Sequence, residues 1–453
     1  MPSVVTNTRL RVGPVIPQIA RLLTNSHILG WVDQAIVSAT SLLILVVLGR
    51  WAGPHELGIY AIGFSIIALL MAAQDSLITR PYSIQLHTPS GSAAEHAFSA
   101  FILAVLLSAA AAIAIAMVAL LASALGTTGD TIEFVLVLAA AIPFILMREF
   151  FRRCAFAHLA VAQALAVDLC VAVPTFVVIA ALGEIGRLSA SNVFAALGVV
   201  CGVTGIGWLY LLRDQFSVNW TQLRPVLRRS WEMGKWFLSS QVAIQVQGYA
   251  TLWITLFLAG TIAAGVYTAS TTIVAFANPL LFGYFNVLLP KLALTLKKEG
   301  VVSVRRQALL AASLLAGIMG VFTLAIFVFG GAVMQLLFQG EHYSGHGELL
   351  TVLALASLAG AVGVPASLAL SAAGHARKVA GITAFTVALH VTLVAVLLPV
   401  WGLLGAAYGM LLAEAVGGAG RWIAFLLYAA NGVGGQATPT PDQPQSSPGS
   451  PKC

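Results

Sequence analysis

Charged residues are scarce in this chain of 453 residues. Only 9% of the residues are Asp, Glu, Lys or Arg, while 59% are hydrophobic and the mean hydropathy is +0.94. Soluble domains carry roughly a quarter charged residues, so this composition excludes an ordinary soluble globular protein. The sequence predicts a membrane protein with many spans.

Cysteines are also few, and a nucleotide-binding motif is absent from the sequence. The four cysteines show no spacing typical of a metal site or a disulfide framework, and no cofactor is expected. The sequence contains no GxxxxGK[ST] phosphate loop, so ATP-driven pumping by this chain has no support. The predicted outer loop GEHYSGHGE holds two His and two Glu residues, but its glycines argue against a helical metal motif. A solvated turn is the favoured interpretation, and no enzyme activity is predicted.

Long apolar runs are abundant instead. Twelve of them are about 20 residues long, the length that crosses roughly 30 Å of hydrocarbon. They occupy 28–49, 57–79, 97–125, 131–147, 155–182, 190–212, 236–260, 263–290, 307–337, 349–373, 379–400 and 403–428. The predicted fold class is an all-α polytopic membrane protein with about 12 transmembrane helices.

Positive charge in the loops sets the orientation. If the N-terminus is cytoplasmic, 21 of the 23 Lys and Arg residues fall on the inner side, and only Arg50 and Arg187 fall outside. The positive-inside rule expects this bias for a correct helix count, because a missed helix would invert every later loop. Both termini are therefore predicted to be cytoplasmic. The formal charge of +7 then reflects topology and anionic lipid, so membrane lipids are the expected partners and nucleic acid is not.

The spans divide the chain into five predicted regions. These are a cytoplasmic N-terminal segment (1–27), a first six-helix bundle (28–212), a cytoplasmic amphipathic linker (213–235), a second six-helix bundle (236–428) and a disordered Pro- and Ser-rich cytoplasmic tail (429–453). The first segment lacks a cleavable signal pattern, so the first span is expected to act as an uncleaved insertion signal. Apolar residues recur at helical spacing in the linker, which predicts an interfacial helix on the inner leaflet.

A sequence repeat links the two bundles. The pattern AGxxxxGIYA, which begins at Ala52, recurs as AGxxxxGVYT, which begins at Ala259, an offset of 207 residues. Six spans separate the copies, so both have the same orientation in the membrane. This predicts a parallel repeat about an axis along the membrane normal. Each copy is expected to form a tight outer hairpin, because glycines permit a sharp turn and close packing.

Further motifs lie at the predicted helix ends. LGRWAGPHELGIY follows the first span, AGVY the seventh, LPKLA the eighth and FQGEHY the ninth, and WGLLGAA joins the last two spans. Over nearly the whole chain except its two ends, this order resembles the polysaccharide transporter (Wzx-type flippase) branch of the multidrug/oligosaccharidyl-lipid/polysaccharide exporter superfamily. The resemblance implies two six-helix bundles that rock around a central cavity.

The resemblance also implies a function. Relatives of this kind are bacterial inner-membrane proteins that move an undecaprenyl-diphosphate-linked oligosaccharide from the cytoplasmic to the periplasmic leaflet by alternating access. The expected role is therefore a secondary transporter in cell-surface or exopolysaccharide biosynthesis. The expected partners are the lipid-linked oligosaccharide and membrane lipids, and a polysaccharide polymerase complex is a further candidate.

Polar residues within two spans are predicted to bind this cargo, whose glycan needs hydrogen-bond partners. Gln241 and Gln245 form a polar stripe on the seventh span. Tyr267 and Asn278 share a face of the eighth span, where Asn278-Pro279 predicts a kink. The alternative is that these side chains only hydrogen-bond neighbouring helices.

Three arginines are the predicted contacts for the diphosphate. Arg50 lies in the hairpin motif on the outer side, where positive charge is otherwise rare. Arg80 lies at the inner end of the second span, and Arg152 belongs to a basic cluster with Arg148 and Arg153 at the inner end of the fourth. The alternative is that these arginines anchor helix ends at the lipid headgroups.

Ionisable residues inside the spans are predicted to couple transport to an ion. Asp33 lies in the first span, Asp168 in the fifth and Glu414 in the twelfth, and His390 lies in the eleventh. A charge at the membrane midplane costs about 2.5–3.5 kcal/mol on insertion scales, so such residues usually face a partner or water. A protonated carboxyl, an interhelical hydrogen bond or a packed histidine is the alternative.

Three other functions stay open at this point. The first is a multidrug or metabolite cation antiporter of the same superfamily, the second is a membrane enzyme of the glycan assembly pathway, and the third is a scaffold for a polymerase complex. A preference for amphipathic organic cations would distinguish the antiporter. Product formation by the purified chain would identify the enzyme.

Overall fold

The computed structural model describes residues 26–86, 93–126, 129–213, 216–220 and 223–434. Within these ranges the regular elements are all helices. They are α1 (Ser26–Trp51), α2 (Gly53–Gln74), α3 (Arg80–Gln85), α4 (Ala93–Ala124), α5 (Asp130–Ala157), α6 (Val161–Glu184), α7 (Ala190–Leu212), α8 (Leu223–Val274), α9 (Asn278–Phe338), α10 (Gly347–Ala372) and α11 (Ala376–Gly434). A π-helix (Asp75–Thr79) joins α2 to α3, and 3-10 turns occupy Ala275–Ala277 and Glu341–Tyr343.

The predicted number of spans is present in the described part of the chain. Nine continuous helical stretches there are long and apolar enough to cross a membrane. Non-helical glycines with positive φ interrupt two of them: Gly260 and Gly300 lie within the stretch Leu223–Phe338, and Gly402 lies within Ala376–Asn431. The first stretch therefore contains three segments and the second contains two. Twelve segments result, as the apolar runs predict.

Gly402 reverses the chain direction. Its φ of +61° lies in a region that residues with a Cβ rarely adopt. On the arm after the turn, Gly405 approaches the backbone of Leu397, and Gly417 approaches the side chain of Thr386 on the arm before it. The residue numbers of the two facing pairs have nearly the same sum, as an antiparallel hairpin requires. α11 is thus two spans joined by one glycine.

Replacement of Gly405 with Ala is expected to destabilise this hairpin. The added methyl group would overlap the carbonyl group of Leu397, which is backbone and cannot move aside freely, and overpacking of this kind costs about 1–3 kcal/mol. Gly381→Ala is the matched control, because no heavy atom lies within 4 Å of a Cβ at Gly381. The free energy of unfolding in denaturing detergent checks the prediction. Equal stability of the two variants would contradict the close approach.

The repeat seen in the sequence has a structural counterpart. Gly53 and Gly260 are 207 residues apart and have φ values of +85° and +84°. Each follows one span and precedes the next. The predicted outer hairpins therefore turn at equivalent glycines, which lack a Cβ that would oppose this conformation.

The chain forms two compact units, of which the first ends at Tyr249 and the second begins at Ala250. α8 starts in the first unit and continues into the second. The segment predicted as a separate linker is therefore the beginning of this helix. It packs against the π-helix, since a Cβ at Gly234 would lie 2.8 Å from the carbonyl oxygen of Ser76. Trp231 on the same segment is 55% exposed, as expected for a helix at the membrane interface.

Two predicted boundaries change in the structure. α5 extends to Ala157, ten residues past the end of the predicted fourth span, and this extension carries the arginines of the basic cluster. α11 extends to Gly434, so the first six residues of the predicted disordered tail are helical. The rest of that tail, 435–453, lies outside the described residues, as does most of the predicted N-terminal segment 1–27.

Candidate functional site: a buried ion network in the first unit

Three helices of the first unit bring charged side chains together. The C-terminal half of α5 carries Arg148, Glu149 and Arg152, whose spacing places them on neighbouring faces of the helix. α1 contributes Asp33 and α6 contributes Asp168. These five residues are the ion network, and all of them lie within apolar helices long enough to span a membrane.

Arg152 is the centre of the ion network. Its Nη2 donates to Asp33 Oδ2 at 2.9 Å, and its Nε donates to Asp168 Oδ2 at 2.7 Å. Its Nη1 lies 3.5 Å from Glu149 Oε1. A guanidinium has five N–H donors in a rigid fork, so one arginine can hold three carboxylates at once.

Arg148 is the second cation of the network. It pairs with Asp168 through Nη2 and with Glu149 Oε2 through Nη1 at 3.3 Å. Two guanidiniums therefore face three carboxylates, and Arg153 adds a third cation through a 2.7 Å bond from its Nε to Glu149 Oε1. When Arg153 is included, the three cations balance the three carboxylates.

The network is almost completely shielded from solvent. Asp33 and Asp168 are each 1% exposed, and Arg152 is 9% exposed. Asp33 Oδ1 is buried and has no hydrogen-bond partner among the described residues. Arg148 Nε is likewise buried without a partner there. A buried polar atom is expensive unless it is paired, so these two atoms are the unsatisfied positions of the network.

A second set of ion pairs connects the network to the helix surface. Asp75 begins the π-helix, and its Oδ2 accepts a 2.7 Å bond from Arg80 Nε. Its Oδ1 accepts a 2.8 Å bond from Thr79 Oγ1 and lies 3.7 Å from Arg153 Nη1. π-helical turns inside α-helices often occur at functional sites. Arg80, a predicted diphosphate contact, is thus paired with an acid while its side chain stays 40% exposed.

A cavity of about 230 Å³ adjoins the network. Arg148, Glu149, Arg152 and Asp168 line one side of it. The remaining walls come from apolar and hydroxyl side chains of α1, α2, α5, α6 and α7, among them Thr40, Tyr60, Phe64 and Phe194. The Tyr60 and Phe194 rings stack with centroids 5.0 Å apart. This arrangement combines apolar walls with a few convergent charged groups, as small-molecule sites do.

The structure corrects the interpretation of two arginines as headgroup anchors. Arg148 and Arg152 were counted among the cytoplasmic loop charges, but both lie inside α5 and pair with buried acids. The same applies to Arg421, which is 7% exposed within α11. For α5 the physical reason is that the helix continues past the end of its apolar run, whereas Arg421 lies within the predicted last span.

The four predicted polar contacts belong to different units. Gln241 and Gln245 are partly exposed on the part of α8 in the first unit. Tyr267 is 7% exposed in the second unit, and Asn278 is exposed at the start of α9. A 3-10 turn interrupts the α-helix at Ala275–Ala277, immediately before Asn278.

Tyr267 belongs to a buried polar trio in the second unit. Its phenol lies near Thr251, and Thr251 Oγ1 lies 2.7 Å from His390 Nε2. Thr251 is 2% exposed and His390 is 5% exposed. The sequence singled out Tyr267 and His390 separately, and the structure joins them through a threonine that the sequence analysis did not select.

Glu414 lies where α10 packs against α11. Its Oε2 is 3.8 Å from Arg421 Nη1, a distance that fits an ion pair better than a hydrogen bond. Gly360 and Gly363 of α10 leave space for this pair, since a Cβ at either position would lie 3.2 Å from one of its charged atoms. Glu414 is thus partly compensated within its own unit.

The outer hairpin motif contains a contact that the sequence analysis missed. Glu56 Oε2 accepts a 2.7 Å bond from the backbone N–H of Ala190, the first residue of α7. A carboxylate at a helix N-terminus satisfies a free N–H and complements the helix dipole. Arg50 in the same motif is exposed in the last turn of α1.

The loop between α9 and α10 is a short turn, held by one local contact and one contact to α11. His346 Nε2 lies 3.1 Å from the carbonyl oxygen of His342, and Glu348 Oε1 accepts a 3.0 Å bond from Tyr408. Tyr343 packs against Phe338 with ring centroids 5.4 Å apart, and burial raises the pKa of its phenol. These contacts agree with the prediction of a turn rather than a helical metal motif.

Solved transporter structures are similar to most of the chain. An inward-facing multidrug resistance MATE family transporter of the MOP superfamily matches with a TM-score of 0.71 and 16% identity, over 88% of this chain and 96% of that one. A variant of a Vibrio cholerae MATE transporter matches with a TM-score of 0.59 and 15% identity, over 91% and 98%. A MOP superfamily transporter from Pyrococcus furiosus, described as having a binding pocket of reversed polarity, matches with a TM-score of 0.57 and 16% identity, over 88% and 96%.

Sequence comparison adds no closer assignment, since no family model and no curated protein matches the chain. At 15–16% identity, the structural similarity establishes the architecture alone. Its coverage of nearly the whole chain accounts for all twelve spans and for the repeat of two halves. The chain therefore has the fold of the MATE transporters of the MOP superfamily.

Proposed function

We propose that this chain is a secondary transporter that works by alternating access. The observation that carries the proposal is the ion network, which places Asp33, Asp168 and Arg152 beside a cavity inside membrane-length helices. Ionisable groups at such depth are costly and mark ion or substrate pathways in membrane proteins. The solved structures with this fold are transporters, which also supports a role other than catalysis.

The proposed cargo is a small molecule, exported in exchange for a proton or sodium ion. The first solved structure named above is a multidrug resistance transporter. The cavity of about 230 Å³ has mainly apolar and aromatic walls, which suit an organic cation because rings attract cations. The pairing of Arg152 is a second argument, and it speaks against a diphosphate cargo. Arg152 is already bound by three carboxylates. A lipid diphosphate would have to displace these acids before it could bind Arg152.

Flipping of an undecaprenyl-diphosphate oligosaccharide is the second candidate function. It is favoured by the order of motifs at the helix ends and by exposed Arg50 in the outer hairpin motif. Arg50 lies outside the ion network, so its charge is free of the carboxylates that surround Arg152. This candidate keeps the prediction of a bacterial inner-membrane location with cytoplasmic termini. It has less support than small-molecule export.

Transport in proteoliposomes separates the two candidates. We expect the purified full chain to move an aromatic organic cation such as ethidium when a proton or sodium gradient is imposed. Arg50→Ala should leave this movement unchanged, because Arg50 is exposed and is not a lining residue of the cavity. A fluorescent undecaprenyl-diphosphate oligosaccharide should stay in the leaflet where it was placed.

The opposite pattern would overturn the proposal in favour of the flippase. In that case the glycan head would reach the far side in a protein-dependent manner, Arg50→Ala would weaken this movement, and ethidium would not follow the gradient. Vesicles without protein are the control for leakage. Membranes of each preparation should contain equal amounts of protein, so that a difference reflects the transport rate.

A further inference from the structure

A second cavity lies inside the first unit, on the other side of α5. Its volume is about 340 Å³, within the roughly 300–1,000 Å³ of small-molecule sites. Arg148 and Arg152 line the cavity at the ion network, whereas Phe151 and Cys154 of the same helix line the second cavity, and the two share no lining residue. We name the second space the aromatic cavity. Its ring-bearing walls are Tyr82, Phe150, Phe151, His158, Trp208 and Phe216.

The described walls of the aromatic cavity are mainly aromatic and contain no acidic residue, lysine or arginine. Phe150 and Phe151 are each 1% exposed, and their ring centroids are 5.7 Å apart. Phe101 packs behind them at 5.9 and 6.0 Å and also contacts Phe216 at 5.6 Å. None of the described lining residues is Asp, Glu, Lys or Arg. Such a site suits flat, neutral ligands, because rings stack well and, unlike the cavity at the ion network, its described walls offer no carboxylate to pair with a buried cation.

The hydroxyl group of Tyr82 would set the orientation of such a ligand. The Tyr82 hydroxyl lies 2.8 Å from His158 Nε2. A hydroxyl has one donor and two acceptor positions, so this pair leaves further capacity on the Tyr82 oxygen. Tyr82 is 4% exposed, so a hydrogen bond from a ligand would form away from water. A ligand with one hydroxyl or amine group matches this arrangement.

The rim of the aromatic cavity has an unusual backbone. Leu159 joins α5 to α6 with a φ of +58°, and its side chain is 80% exposed. A branched residue with positive φ is strained, and such strain often occurs near binding sites. His158 and Ala160, its two neighbours, both line the cavity, and exposed Gln163 follows one turn later. The aromatic cavity therefore borders the turn between the end of α5 and the start of α6.

From these features we propose that the aromatic cavity binds a neutral, planar aromatic molecule with one hydroxyl or amine group. The rings lie against the phenylalanine and tryptophan walls, and the polar group hydrogen-bonds Tyr82. This site is separate from the ion network and goes beyond the proposed transport function. It therefore stands or falls independently of what the protein transports.

Binding of tritiated 1-naphthol to the purified full chain tests this proposal. Wild type is expected to bind it saturably, with unlabelled 1-naphthol as competitor. Ala97→Trp should abolish saturable binding, because Ala97 lines the cavity and the indole would fill it. Tyr82→Phe should weaken binding about three- to tenfold, which corresponds to one lost hydrogen bond. Tyr60→Phe is the matched control, since Tyr60 lines the other cavity, and should bind as wild type does.

Three outcomes would overturn the proposal. They are no saturable binding by wild type, binding that survives Ala97→Trp, and equal weakening by Tyr82→Phe and Tyr60→Phe. Thermal unfolding and gel filtration of each variant identify misfolding. Tyr82→Phe changes a single hydroxyl, so it keeps the test decisive if Ala97→Trp does not fold. Ethidium transport by the same preparations is measured separately and does not enter this comparison.

Discussion

Replacement of Arg152 with Ala is expected to destabilise the folded protein by about 3–5 kcal/mol, the usual cost of removing one partner from a buried ion pair. Asp33 would lose the one ion pair it makes among the described residues, at a position that is 1% exposed. Asp168 and Glu149 would each keep a contact to Arg148. The main cost therefore falls on Asp33. The free energy of unfolding in denaturing detergent measures it.

Arg153→Ala is the matched control for this experiment. Arg153 is the next residue on α5, but its side chain is 44% exposed, and its partner Glu149 keeps contacts to Arg148 and Arg152. We therefore expect a loss of only about 0–1 kcal/mol, as for exposed ion pairs. The double variant Arg152→Ala with Asp33→Asn should recover part of the lost stability, because it removes the stranded charge. The network would not be the stabilising feature if Arg152→Ala cost no more than Arg153→Ala.

The helices and their number could be predicted from the sequence because each long apolar run predicts one span without reference to the rest of the chain. The hairpin glycines could be predicted for the same reason. Gly53 and Gly260 sit in a repeated motif, and a sharp turn needs a residue without a Cβ. Charge in the loops gave the helix count an independent check. Information of this kind is local, so one sequence is enough to read it.

The ion network could be predicted only as separate residues. Asp33 and Asp168 were selected because acids are rare inside spans, but their shared partner Arg152 was interpreted as a cytoplasmic anchor or a diphosphate contact. Asp33 and Arg152 are 119 residues apart. Periodicity within one helix cannot show which neighbouring helix a face will meet. Pairing across helices is a property of packing.

Glu56 and Thr251 show the same limit in smaller features. Glu56 was noticed as part of a hairpin motif, yet its bond to the N-terminus of α7 reaches across 134 residues. Thr251 is an ordinary residue of an apolar helix until it joins His390, 139 residues away. A threonine inside a span can bond its own helix backbone, so its residue type alone does not single it out.

The charge of the ion network can control how three helices of the first unit pack together. Two guanidiniums and three carboxylates hold α1, α5 and α6 together within the first unit. Neutralisation of Asp33 would weaken the ion pair that joins α1 to Arg152 of α5, which favours a rearrangement of these helices. Asp33 is the most weakly held of the three carboxylates, because it makes one ion pair among the described residues and its other oxygen has no hydrogen-bond partner there. An ion that neutralises Asp33 would therefore bias the network most easily.

Asp33→Asn is consequently expected to reduce gradient-driven ethidium transport at least tenfold. Asparagine keeps the shape of the side chain and one oxygen that can accept a bond from Arg152, but it cannot gain or lose a proton or bind a cation as a carboxylate does. The stability should change far less than in Arg152→Ala, because Asp168 and Glu149 still neutralise Arg152. The measurement is initial transport rate against the size of an imposed proton or sodium gradient.

Glu184→Gln provides the matched control, since Glu184 is an exposed acid at the end of α6 and lies outside the ion network. It should retain the gradient dependence of wild type. Ethidium binding at equilibrium, without a gradient, should persist in Asp33→Asn, because the aromatic side of the cavity is intact. An Asp33→Asn protein whose transport rate follows the gradient as wild type does would remove Asp33 from the coupling mechanism. In that event the carboxylate would serve only to hold Arg152 between α1 and α6.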